Sequence, residues 1–219
     1  MHYDPERDDH GFRHSPFKSC VVPRPIGWIS TLSADGVANL APFSQFQNIT
    51  YDPPIVMFSA NQRTTGHRKD TVVNVEATGE FVWNMATYEL REAVNLSSSE
   101  FPPDVDEFEA AGLEKLPSLV VGPPRVAASP VQFECRHLQT VRIPGNGDMG
   151  SADIVLGRVV RIHIRDDALT QDGRLDIEKI KPLARLGYFN YTYVDKQFEM
   201  PPPDDDPRRR KGLAGDRVR

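Results

Sequence analysis

Apolar and polar positions alternate over short stretches, punctuated by glycine and proline, and this pattern predicts many brief strands with inserted helices. From Ile26 to Ala60 it reads strand, turn, strand, linker, strand, with the first turn at Ala34-Asp35-Gly36. The returning strand runs into Ala41-Pro42-Phe43-Ser44, which places a proline where a central strand needs its ladder N–H. Ile55–Asn61, behind Pro53-Pro54, is a short apolar run that suits a buried strand. Asp70 can cap a helix whose Val72, Val73 and Val75 lie close to one face, and Gly79 can end it. Glu80–Ala86 returns as a strand, Thr87 starts another helix, and a short helix stops near Gly112. Val131, Phe133 and Cys135 alternate with Gln132, Glu134 and Arg136, which predicts a strand with one wet face. Residues 154–166 are rich in β-branched side chains and predict another strand. Asp176 is placed to cap a helix through Ala184 that Gly187 ends. Strands at this spacing, without strict alternation with helices, favour a largely antiparallel barrel with helices packed outside it.

Composition narrows the class. The 219 residues are 39% hydrophobic and 26% charged, enough for a core in one domain with extensions. The expected division is an irregular arm over 1–16, a domain over 17–200, and a disordered charged tail over 201–219. A net charge of −5 offers no general attraction to nucleic acid or to an anionic membrane. No apolar run has the length of a transmembrane span, and the N-terminus lacks a signal-peptide core. Two distant cysteines, Cys20 and Cys135, argue against a disulfide framework and for the cytoplasm.

Candidate chemistry is sparse. Gly145-Asn146-Gly147-Asp148-Met149-Gly150 spells a dinucleotide motif, but it precedes a strand where that motif must open a helix. It reads better as a loop between strands 131–143 and 154–165. Arg68-Lys69-Asp70-Thr71 sets two cations and a hydroxyl at a helix start, with Arg63, Thr64 and Thr65 upstream. That pattern suits a phosphate, and equally a solvated helix terminus. Ala41–Ser44 offers backbone groups free of pairing, for a planar heterocycle or for a structural bulge. His163 reads as a packing histidine, the other histidines lack metal-ligand spacing, and Ser97-Ser98-Ser99 has no nucleophile elbow. No metal site and no catalytic acid or base is assigned.

Taken together, "RPIGWIST…DGVANLAPFSQF", "YDPPIVMFS", "RKDTVVNVEATGEFVWN", "FEC", "ADIVLGRVVRIHI" and "IKPLARLGYFNY" resemble the flavin reductase-like, FMN-binding split-barrel family from about Arg24 to Tyr191. The resemblance implies a mainly β fold with peripheral helices, a six-stranded antiparallel Greek-key barrel, and a homodimer with FMN near the subunit interface. It implies that Asn39, Ala41, Pro42, Phe43 and Ser44 lie along the flavin, with Ser59 and Ala60 continuing the groove. Lys69, Asp70 and Thr71 would meet the phosphate, and Arg185 and Arg24 would close the site. It further implies FMN, with FAD as an alternative, NAD(P)H as co-substrate, and a partner monooxygenase or another acceptor for the reduced flavin. A flavin-bound carrier, an oxygenase without direct nicotinamide use, and a non-enzymatic flavin-binding module are the alternatives. One departure is clear: after "ARLG" this chain has Tyr188-Phe189 where many relatives have a second glycine.

Overall fold

A computed structural model describes residues 2–7, 11–63, 65–147, 150–203 and 206–207. After a one-turn helix α1 (Phe17–Cys20) come β1 (Arg24–Pro25), β2 (Gly27–Leu32), β3 (Ala38–Phe43), β4 (Phe46–Tyr51) and β5 (Pro54–Asn61). Helix α2 (Asp70–Thr78) precedes β6 (Glu80–Met85), and the short helices α3 (Arg91–Leu96) and α4 (Glu107–Ala110) follow. The hairpin β7 (Lys115–Leu116) and β8 (Arg125–Val126) leads into the long pair β9 (Val131–Ile143) and β10 (Ala152–Ile164). Helix α5 (Ile177–Ile180), β11 (Leu183–Gly187) and β12 (Asn190–Tyr193) complete the order. No described helix is long and apolar enough to cross a membrane.

Seven strands make one antiparallel sheet in the order β3-β2-β6-β9-β10-β5-β4, while β1, β11 and β12 form a second. The edge strands β3 and β4 are separated only by Ser44 and Gln45, so the sheet must curl to bring its edges together at that corner. There the Ser59 N–H donates to the Gln45 carbonyl at 2.8 Å. Among the described residues no ladder joins β3 to β4, and the barrel stays split.

Inside the curl lie Ile29, Phe43, Phe46, Phe58, Phe81, Trp83 and Val155, each adding about 1.5–3 kcal/mol by burial. Phe46 stacks on Trp83 with ring centroids 5.2 Å apart, and Trp83 meets Phe133 at 4.5 Å. Gly157 lets Phe81 in: a Cβ there would stand 2.2 Å from the ring. The outer face of β2 and β3 carries a second core, Trp28, Leu40, Val94, Phe108 and Val126, roofed by α3 and α4.

Several expectations are corrected. The linker before Tyr51 is strand β4, because Phe46–Tyr51 finds β5 as partner, and this makes the sheet seven-stranded rather than six. β5 is buried only at alternate positions. Val73 is 47% exposed while Val72 and Val75 are sealed, since 100° per residue carries it off the buried face. Gln132 and Glu134 are buried because the segment around β7 and β8 covers their face of β9. Helix α5 stops at Ile180, and Leu183–Gly187 becomes β11 because β1 and β12 supply ladders on both sides. The arm is tied down near its end, where the Tyr188 hydroxyl donates to the Ser15 carbonyl at 3.0 Å. The charged tail falls outside the described residues except at 201–203 and 206–207.

Candidate functional site

The strand predicted to break at Ala41–Ser44 does not break: β3 runs through Phe43. Its backbone is free for another reason, since β3 lies at the sheet edge and pairs only with β2. Leu40 sends its N–H off that edge to Glu107 Oε2 at 3.0 Å. Pro42, two residues on, faces the same way, so its missing N–H removes no ladder bond.

Ala41, Pro42 and Phe43 form one wall of a small cleft of about 60 Å³. The facing wall is Arg63, the start of α2 at Lys69, Asp70 and Thr71, and the Ser97–Glu100 turn after α3. Lys69, not Asp70, is the N-cap of α2, and no side chain caps it. Asp70 instead pairs with the Arg63 guanidinium, and Lys69 Nζ donates to Glu100 Oε1 at 2.9 Å. Arg63 also donates to the Phe101 carbonyl at 3.3 Å. Arg68 is drawn elsewhere, to both oxygens of Glu76 at 2.7 Å and to Asp153 at 3.0 Å. The second cation of the cleft is therefore Arg63. Thr64 lies outside the described residues.

A buried polar network props the floor. The Asn39 side chain accepts from Thr71 Oγ1 at 2.7 Å and Thr31 Oγ1 at 3.3 Å, and donates to Glu107 Oε1 at 2.9 Å. With both ends of its amide engaged, Asn39 joins β3 to α2 and α4 rather than presenting a free group. Burial is the larger influence on the Glu107 carboxyl and raises its pKa, against the lowering by its bonds from Leu40 and Asn39.

The remaining expected residues lie away from this lining. Ala60 sits in the barrel core, and Ser59 holds the β4 corner through its N–H. The Ser44 hydroxyl reaches only Gln45, at 3.4 Å. Arg24 and Arg185 are paired neighbours on β1 and β11. Arg24 donates to the Lys18 and Val21 carbonyls. Arg185 lies over the Tyr191 ring at 4.5 Å and bonds its hydroxyl and the Tyr188 carbonyl. Both guanidiniums clamp the N-terminal helix and the β11–β12 turn.

Glu107, Glu100 and the Ser97–Ser99 turn were not anticipated. Glu107 stands in the short helix that stops near Gly112, and only packing against β3 reveals its role. The serines were set aside for lacking an elbow, and Ser97 Oγ accepts from Trp28 Nε1 at 2.9 Å. The glycine-rich stretch is the loop between β9 and β10, as expected, although Asp148 and Met149 lie outside the described residues. His163 is a packing residue, with Nε2 2.6 Å from the buried Glu134.

The sequence pattern of the flavin reductase like domain family matches residues 19–197. An uncharacterized protein of Halalkalibacterium halodurans is 39% identical over 183 residues, covering 84% of this chain and 87% of its own length. Nitrilotriacetate monooxygenase component B from Bacillus cereus superimposes with a TM-score of 0.83 at 30% identity, over 91% of this chain and 98% of that one. A split-barrel domain from Shewanella frigidimarina, 22% identical, covers 92% and 98% with a TM-score of 0.74 and shares the fold.

Proposed function

The chain belongs to the flavin reductase-like family, and from that premise we propose that it is an NAD(P)H-dependent flavin oxidoreductase that binds FMN in the β3–α2 cleft. The observation that carries this reading is the meeting of an unpaired strand edge with a helix start flanked by Lys69 and Arg63. The two ends suit the two ends of FMN. Lys69, Arg63 and the first turn of α2, a nine-residue helix, would hold the phosphate. The outward main chain from Ala41 to Ser44 would meet the polar rim of the ring. Asn39, Thr71 and Glu107 would keep β3 and α2 at their separation without touching the flavin. Arg24 and Arg185 lie beyond the Phe43 end of β3, as the register of Gly27 against Phe43 implies, and would add positive charge on that side.

When bound, FMN would take a hydride from a reduced nicotinamide and pass it on. The part left to the protein is to orient the two rings and exclude water, so no catalytic acid or base is assigned. Leu138, Val141 and Ile143 toward one end of the β9–β10 ladder, and Ile162 and Ile164 toward the other, are exposed apolar side chains, and formation of a homodimer would cover part of them. The likeness to a monooxygenase component B supports a separate oxygenase as the acceptor of reduced flavin. A cytoplasmic location fits a buried free Cys135 and an exposed free Cys20.

The visible spectrum of the purified protein, before and after adding NADH without air, tests the reading. Bound yellow flavin that bleaches is the expected result. Yellow that persists would make the protein a carrier loaded by another donor. A colourless protein that takes up no added FMN would overturn the site.

A further inference from the structure

We propose that a second cavity, between α3 and the β11–β12 hairpin, binds a planar aromatic ring that carries an anionic group. The cavity holds about 400 Å³, the size of a small-molecule site, and shares no lining residue with the β3–α2 cleft. Strand register builds its aromatic wall. Leu183 stands opposite Tyr193 and Arg185 opposite Tyr191, so all four side chains leave one face of this sheet, the face turned to α3. Tyr193 packs on Tyr88, in the turn entering α3, with ring centroids 4.4 Å apart, while the buried Leu183 and Val94 make the apolar floor. Phe189 lines the same space yet is 96% exposed, which places it at the mouth. Four aromatic rings thus offer their faces to a flat ligand. The charged groups set its sign. Arg91 lies over the Tyr88 ring at 4.2 Å and donates to the Tyr88 carbonyl at 2.9 Å, which fixes its guanidinium on the cavity wall. Its partner Glu92 is 3.5 Å away and 83% exposed, a pair that water screens. Arg185, over the Tyr191 ring at 4.5 Å, pairs with no carboxylate among the described residues, and neither does its cross-strand neighbour Arg24. Arg24 Nε is buried without a hydrogen-bond partner. Like charges set opposite each other on paired strands are unfavourable, and an anion nearby relieves them. Two sources share this ligand chemistry. Helix α3 has six residues, about 9 Å at 1.5 Å per residue, and the turn after it lines the flavin cleft. That reach suits the adenosine phosphate half of a nicotinamide dinucleotide whose other ring lies over the flavin, a source that rests on the flavin reading above. A separate aromatic carboxylate is the other source and needs no flavin.

The experiment is a calorimetric titration of AMP, adenosine, benzoate and benzamide into the protein as purified, for wild type, Arg91→Met, Phe189→Ala and Lys69→Ala. At least one of the two anions should bind wild type roughly fivefold or more tightly than its neutral counterpart, the scale of one partly exposed charge interaction. Arg91→Met should remove that preference, and Phe189→Ala should weaken the anion by about threefold through the lost ring face. Lys69→Ala, in the other cleft, should leave the affinity within about twofold. AMP that competes with NADH assigns the site to the dinucleotide, whereas benzoate binding that leaves the KM for NADH unchanged assigns it to a separate acid. If NADH does not bleach the flavin, the dinucleotide source falls with the flavin reading, and the benzoate arm alone decides the site. Binding lost in Lys69→Ala and kept in Arg91→Met would put the ligand in the flavin cleft and overturn the proposal. Equal affinity for charged and neutral rings, or no binding of any probe, would overturn it too. If in that last case Phe189→Ala turns a dimer into a monomer, the cavity is a contact between subunits. Equal melting temperatures across the variants would exclude a folding defect as the cause of any of these results.

Discussion

Two buried carboxylates, one on β9 and one on α4, show how neighbours decide what an acidic side chain does. Glu134, fully buried on β9, accepts the N–H groups of Leu119 and Val120 at 2.8 and 2.7 Å and bonds His163. Glu107, at the rim of the cleft, accepts one N–H from Leu40 and one amide bond from Asn39. Burial is the largest influence on both and pushes both pKa values up. Around Glu134 the two backbone donors and the imidazole together outweigh it, and its pKa falls below the usual carboxylate value; around Glu107 burial wins. The difference is one of donor number and kind. Glu134 staples a covering loop to the sheet, whereas Glu107 closes a single outward N–H of an edge strand and leaves the rest of that edge available.

The comparison is broken most directly at Glu134. Glu134→Ala strands two backbone N–H groups and His163, and should cost about 3–5 kcal/mol in urea unfolding; a loss under about 1 kcal/mol would show that water replaces the carboxylate. Lys69→Ala should weaken FMN binding by about 1.5–3 kcal/mol through a lost charge-assisted phosphate contact, read by titration, and unchanged affinity would remove Lys69 from the site. Glu107→Gln removes a charge that burial disfavours and keeps an acceptor for the Leu40 N–H, but it sets a second NH2 against the Asn39 amide donor, so stability at pH 7 should fall by about 1–2 kcal/mol. An unchanged stability would show that the Asn39 bond to Glu107 contributes nothing to holding β3.

The pH dependence sharpens the same contrast. Glu134 has a folded-state pKa below its ordinary value of 4.5, so its contribution is present above about pH 4.5 and is lost as pH falls through the lower folded value. Glu107 has the opposite sign: its raised pKa favours the folded state at low pH, and that advantage disappears as pH rises through the folded value. Glu134→Gln should therefore flatten the acid limb of a stability profile and Glu107→Gln should steepen it. Parallel profiles would contradict the assignment. The smallest effect is expected from deleting residues 201–219, which should shift stability by less than about 0.5 kcal/mol; a monomer or an aggregate would show that the tail packs.

Much of the local structure was legible in the chain because its causes are local. Asp35-Gly36 turns the first hairpin with Gly36 at φ 84°, Gly79 ends α2 at φ 74°, and Asp176 caps its helix. The alternation that sends Cys135 inward also held, and its thiol pKa is driven up by burial. The Lys69–Thr71 and Ala41–Phe43 segments were both legible as candidates, and the structure sets them on facing walls of one cleft.

What composition and spacing could not reach depends on partners distant in sequence. Whether Gln132 and Glu134 meet water depends on a loop that doubles back over them, and whether Leu183–Gly187 is helix or strand depends on β1 arriving beside it. Pro42 shows the limit most clearly. Its missing N–H and fixed φ are properties of the residue, and they were read as the end of a strand. Only the tertiary structure makes β3 an edge, where that N–H has no partner to lose, and brings Glu107 from 65 positions beyond Pro42 to close the one N–H beside it.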